Sequence, residues 1–316
     1  MARTPAQSPA AEPASVTPMD RQVPDIAANS TARQVLLASL RERVLKLEGG
    51  MTDLADGEAG TPPIPPWRLG LDVLDARLPA DGLDPAGVHE IAPQEAGDVA
   101  AAMGFAAALG ARRLVAPGTD GRPLLWCRLA RMGMEAGGLY GPGLNAIGLP
   151  AARIVTVALR RQQALLWTAD EALKSGALSG VILDLDPAKC TVTATRRLQL
   201  AAQAGRTPAI IVVAAPVRAQ ASASLSAARS RWAVASLPSL PSRLDERAPG
   251  RPAFRVELRR CRRGKPGFFS VEWDHATHRF SLVAAVSGGA ADPVTAEGRG
   301  AAAFAGSPLR LGHGRG

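Results

Sequence analysis

The 316-residue sequence holds only three cysteines, Cys127, Cys190 and Cys261. They are isolated and odd in number, with no C-x-x-C pair. Neither a disulfide framework nor a zinc site is expected, and a reducing cytoplasm suits such usage. Long hydrophobic runs are missing too. The longest nearly apolar stretch, 99–111, is too short and too alanine-rich to span a bilayer. The opening "MARTPAQSPAAEP" lacks the apolar region of a signal peptide, so a cytoplasmic protein without a membrane anchor is expected. There is no G-x-S-x-G elbow of the α/β-hydrolase kind. Nor does G-x-x-x-x-G-K-[S/T], the ordinary phosphate-binding loop, occur anywhere.

What is present is a globular composition, 47% hydrophobic and 21% charged. The ends stand apart from it. Residues 1–31 are rich in Ala, Pro, Ser and Thr, and residues 287–316 in Gly and Ala. Neither has a hydrophobic period, so both are expected to be disordered. Residues 32–50, "ARQVLLASLRERVLKLEGG", predict an amphipathic helix. Leu36, Leu37, Leu40, Val44 and Leu47 recur at three and four along one face, and a Gly pair ends it. A linker, 51–66, stiffened by "PPIPPW", separates this helix from the main body. A helix on a tether must bury its leucines, either on its own domain or, the reading preferred here, on another chain.

From 67 to 286 the chain alternates. Apolar runs at 88–91, 123–128, 153–159, 180–186 and 209–216 are spaced by helical patterns at 97–112, 161–175 and 194–204. Continuous apolar strands, each followed by a helix, predict a mostly parallel sheet covered on both faces. After 216 the pattern turns to period two. "RWAVAS", "AFRVELRRC", "GFFSVEWD" and "RFSLVAAV" are expected as antiparallel strands at the edge of that sheet. Trp126, Trp167, Trp232 and Trp273 fall in these patterns and are expected to fill the core.

The segment "VHEIAPQEAGDVAAAMGFAAALGARR" reads as strand, tight loop and helix, the frame of a phosphate-binding loop. In that register Ala92 replaces the first glycine and Gly97 keeps the second. Asp98 stands where the lysine belongs, and Val99 where a hydroxyl would hold Mg²⁺. A carboxylate about 4 Å from a phosphate oxygen costs roughly 4 kcal/mol at an effective dielectric near 20. Loss of the lysine adds a similar amount, enough to abolish micromolar nucleotide binding. "VILDLD" ends in Asp184, the place of a Walker B aspartate, but without lysine and hydroxyl it has no metal to hold. A structural role, capping or turning the Asp186-Pro187 segment, is expected instead. Asp274, His275 and His278 fall in a hairpin turn, where a turn histidine is far more common than a metal site, so no metal is expected there. No cofactor is expected either.

The segments 69–91, 137–157 and 172–186 resemble the RecA-like recombinase core. With the erased loop and the ending "RPAFRVELRRCRRGKPGFFSVEWD", the chain resembles the ImuA family over roughly 33–286. That resemblance implies a non-catalytic accessory role in SOS-induced, error-prone translesion DNA synthesis. The implied partner is an ImuB-type polymerase subunit, working with an error-prone replicative-type polymerase; RecA is a further candidate. A glutamate that in active relatives ends the strand matching 123–128 is missing, and the polar sensor after "AIIVV" is replaced by Ala214 and Ala215. The loops that touch DNA in recombinases, here 186–193 and 215–230, hold few basic residues and no aromatic. A SulA-like cell-division inhibitor and a nucleotide-binding ATPase are the alternatives. The net charge of +9 concentrates between 243 and 265. Within that stretch Arg259, Arg260, Arg262, Arg263 and Lys265 form a candidate patch for nucleic acid or an acidic protein, unless they merely solvate a strand edge.

Overall fold

The computed structural model describes residues 64–283, apart from 120, 132–136, 188–189, 218–225 and 243–246. The segments 1–31, 32–50 and 287–316, and all but the end of the 51–66 linker, lie outside the described residues. So do Leu36, Leu37, Leu40, Val44 and Leu47 of the expected docking helix.

A nine-stranded sheet organises the described chain. Its strands are β1 (Val88–Pro93), β2 (Leu124–Leu129), β3 (Ile154–Leu159), β4 (Gly180–Leu185), β5 (Ala209–Val213), β6 (Ser230–Leu237), β7 (Ala253–Cys261), β8 (Gly267–Asp274) and β9 (Arg279–Leu282). They lie in the order β3-β2-β4-β5-β1-β6-β7-β8-β9. The fold is α/β, as expected, with an order and a mostly parallel sheet consistent with a RecA-like core. Five helices accompany the sheet: α1 (Asp72–Asp75), α2 (Val99–Leu114), α3 (Gly141–Ala146), α4 (Gln162–Lys174) and α5 (Val192–Ala204).

Every residue of β1, β2, β4 and β5 is buried, which is why β5 reads as an unbroken apolar run and β2 and β4 are each broken by a single charged residue, Arg128 and Asp184. One face of the sheet carries α2, packed on Trp126, Ile182, Ile210, Val212, Trp232 and Val234. Phe105 on α2 lies 5.9 Å from both Trp232 and Phe254 and 5.4 Å from Phe280, ring centre to ring centre. The helix is rich in small residues because it lies close on the sheet. A Cβ on Gly110 would meet Leu124 at 3.1 Å and Ile182 at 3.2 Å. The other face carries α4 and α5 over Leu125, Cys127, Val181, Leu183 and Ile211.

Two expectations need correction. "RWAVAS" belongs to β6, which pairs parallel with β1 (His89 opposite Ser230, Ile91 opposite Trp232) and antiparallel only with β7. The preceding segment, 214–229, is long enough for the crossover that a parallel pairing needs. Trp167 is not in the core but 60% exposed. On α4 the inward positions are Leu165, Ala169 and Leu173. Two residues beyond Leu165, at about 100° each, bring Trp167 to the opposite side. Trp126, Trp232 and Trp273 are buried as expected, and Trp67 joins them.

Helices α4 and α5 are tied by Asp170, itself 1% exposed. It accepts hydrogen bonds from Lys174 Nζ at 2.7 Å and Arg197 Nη2 at 2.8 Å. Burial alone would raise its carboxyl, but the Arg197 and Lys174 donors outweigh it and hold the group below the ordinary carboxylate value. A depressed folded value stabilises above the unfolded pKa, about 3.9, and that gain is lost as pH falls through the folded value. Asp170→Asn is therefore expected to lower the urea midpoint at neutral pH. Its deficit relative to wild type should shrink steadily below about pH 4. A deficit independent of pH would contradict this assignment.

Candidate functional site

The loop after β1 is shorter in space than in the sequence register. Ala92 and Pro93 are still strand, opposite Ala233 and Val234 of β6, and Gln94 N donates to Val234 O at 2.8 Å. The first two of the eight positions of the would-be phosphate loop, Ala92 and Pro93, have been drawn into the sheet. A 3₁₀ turn, Ala96–Asp98, then leads directly into α2. The expected helix start at 97 thus falls on this turn.

Within the turn the donors are met by the chain's own acids. Glu95 and Asp98 form a reciprocal capping box: the Glu95 side chain accepts from Asp98 N, and Asp98 Oδ2 accepts from Glu95 N at 3.1 Å. Asp98 Oδ1 also accepts from Ser236 N at 2.9 Å and Ser236 Oγ at 3.0 Å. The buried aspartate at the lysine position therefore pins the loop to β6. Gly97 adopts no positive φ, and an added Cβ there would meet nothing within 4 Å. Val99 merely opens α2.

Asp184 lies on β4 beside β2, with Cys127 opposite Leu183 in the preceding register position. Its Oδ2 accepts from Arg128 Nε at 2.6 Å and its Oδ1 from Trp126 Nε1 at 3.0 Å. Arg128 Nη1 donates to Gly137 O at 3.0 Å. Side-chain exposure is 9% for Arg128 and 3% for Asp184. Burial pushes the Asp184 carboxyl upward, against the lowering effect of Trp126 and Arg128. Asp184 bonds across the sheet rather than turning the segment after it. Arg128 escaped the sequence reading. An arginine inside "LLWCRL" was the available signal, because a buried guanidinium demands an acid nearby.

Asp274 Oδ1 accepts from Ala276 N and Thr277 N, and His278 Nε2 lies 3.0 Å from Gly148 O, so these groups build the hairpin. Among the described residues no cluster of three His, Cys, Asp or Glu could hold a metal, and no helix is long and apolar enough to cross a membrane. Burial pushes the Cys127 and Cys190 thiols up to about 12 and Cys261 to about 11, so all three stay protonated at neutral pH. The basic patch sits at the other end of the sheet from Asp98. Ser236, beside Asp98, is opposite Phe254 of β7, whereas Cys261 is opposite Ser230, where β6 begins. Arg259, Arg260, Arg263 and Lys265 are exposed there, and Arg262 is half-buried.

No family model matches the chain. Two curated relatives do: Protein ImuA from two strains of Caulobacter vibrioides, each 33% identical over 237 residues, 72% of this chain and 92% of the relative. The chain belongs to the ImuA family. Membership of the ImuA family supports a role in damage-inducible mutagenesis. A solved structure, SulA from Pseudomonas aeruginosa, is similar at 22% identity and a TM-score of 0.32, over 40% of this chain and 96% of that one. That likeness is too slight to carry a conclusion.

In this ImuA-family chain, Arg128→Met is expected to cost about 3–5 kcal/mol, because it leaves Asp184 buried without its counter-ion. The double variant Arg128→Met/Asp184→Asn keeps an oxygen acceptor for Trp126 Nε1 and should recover most of that loss. Urea denaturation of the four proteins in the cycle measures it. Additive losses would contradict a closed pair.

Proposed function

We propose that this protein is a RecA-like accessory factor in SOS-induced, error-prone translesion DNA synthesis. In this reading it acts as an adaptor for an ImuB-type polymerase subunit, in the cytoplasm, and turns over no nucleotide. RecA is a second candidate partner. One observation carries the reading: the two acids of the would-be nucleotide site, Asp98 and Asp184, are both engaged by protein donors. A triphosphate would have to displace the Ser236 and Glu95 bonds and face the Asp98 carboxylate. A magnesium ion would have to displace the Arg128 guanidinium from Asp184. Each step removes a buried bond while adding an unfavourable charge.

Calorimetry with ATP and Mg²⁺ is expected to show no binding tighter than about 1 mM. Restoring the motif residues with Asp98→Lys and Val99→Thr is expected not to create a site, because Arg128 still occupies Asp184 and Ala92 and Pro93 are still strand. Micromolar ATP binding or phosphate release by the purified protein would overturn the proposal.

The adaptor role is assigned to the 32–50 segment, whose Leu36, Leu37, Leu40, Val44 and Leu47 form one apolar face in sequence. Leu40→Glu with Val44→Glu is expected to abolish co-purification of an ImuB-type subunit while the circular dichroism of the sheet domain is unchanged. A strain lacking the gene is expected to lose damage-induced mutagenesis. Unchanged mutagenesis, with cell filamentation on overexpression, would favour division inhibition instead.

A further inference from the structure

The sheet continues past its helices on one side. Helices α4 and α5 pack against β1 to β5. Among the described residues no helix covers the same face of β7 and β8. Alternation then leaves one set of side chains buried, Phe254, Val256 and Leu258 with Phe269, Val271 and Trp273, and turns the other set to solvent.

That open face combines positive charge with an unburied ring. Phe268 is 70% exposed, although it stands in a strand whose other phenylalanine, Phe269, is 8% exposed. Phe268 is opposite Glu257 on β7, and Arg255 is opposite Ser270. Arg255 and Arg259 are therefore the diagonal neighbours of the ring, within reach of long side chains. The pairing of β6 with β7 is irregular between Arg231 and Trp232, where Leu258 and Arg260 face consecutive β6 residues and Arg259 is the extra one. A bulge of this kind re-aims side chains and strengthens local twist. Arg259 and Arg260 are both exposed at it, and Lys265 is exposed in the turn that joins β7 to β8. Of the acids on this face, Glu257 already sits 3.8 Å from Arg259, and Glu272 is bound to Arg251 at 3.2 Å.

We propose that the β7–β8 face, centred on Phe268 with Arg255, Arg259 and Lys265, binds single-stranded nucleic acid. The cations follow the phosphates and the ring stacks on a base. An acidic protein would use the cations but would not need a flat aromatic standing out of a sheet. Single strands present an unpaired π-face to such a ring, and duplexes do not. The inference does not depend on the adaptor role, since it concerns a different surface from the 32–50 segment.

The test is fluorescence anisotropy of the full chain with a labelled oligothymidine about 20 nucleotides long, in about 50 mM salt. Binding is expected, with preference over a duplex of equal length. Phe268→Ala should weaken it about tenfold and Phe268→Trp should retain it. On an abasic strand Phe268→Ala should have little effect. Arg255→Ala with Lys265→Ala should flatten the slope of log affinity against log salt by about 1.4. The proposal is overturned by no binding in low salt, by equal affinity for duplex or polyglutamate, or by a Phe268→Ala protein that binds oligothymidine like wild type. None of those outcomes alters the expected loss of partner capture in the Leu40/Val44 variant.

Discussion

A guanidinium and a carboxylate that share one buried spot determine what this end of the molecule can do. Arg128 and Asp184 lie on adjacent strands, the second and third in the sheet order, at 2.6 Å, with Trp126 on the second carboxylate oxygen. Neither charge is tolerable there alone, because stripping an ion of water costs several kcal/mol. Each is thus the condition for the other. A divalent cation could satisfy the same aspartate only by displacing the Arg128 guanidinium. With a base near the end of β2, the Asp184 carboxylate is a strut across the sheet.

Asp98 repeats the logic at the loop. A helix N-terminus with free amides attracts anions. Here the anion comes from the chain itself, in the Glu95–Asp98 capping box and in the Asp98 bonds to Ser236. The same carboxylate thus serves donors at the start of α2 and on β6 together. Gly97, kept in the sequence register, has lost its conformational reason: its φ is ordinary and the space beside it is open.

The parallel core was legible because strands buried on both faces leave few polar positions to interrupt the run, as in "AIIVV". The β7–β8 hairpin was legible because one open face imposes period two. β6 has a parallel partner on one side and an antiparallel one on the other, and side-chain periodicity reports burial rather than strand direction. The length of 214–229 was the better guide. Trp167 was misplaced because hydrophobicity was read without helical phase. The site was half legible. The loss of lysine and hydroxyl needs only the sequence, but the partner of Asp184 lies 56 residues away, and strand order alone brings it close.

Closure of the loop also bears on how the fold can be regulated. A ligand shifts a conformational equilibrium only by the difference in its affinity for the two states. In a nucleotide-driven protein the loop between β1 and the next helix is where such a difference can arise, because the phosphate bridges elements that otherwise separate. In this chain the bridge from that loop to β6 is made within the protein, by Asp98 and Ser236, and needs no ligand to form. The occupancy of any partner then follows from the concentrations of the two proteins. On the proposed non-catalytic reading, a factor of a damage-inducible system built this way would be controlled by how much of it is made.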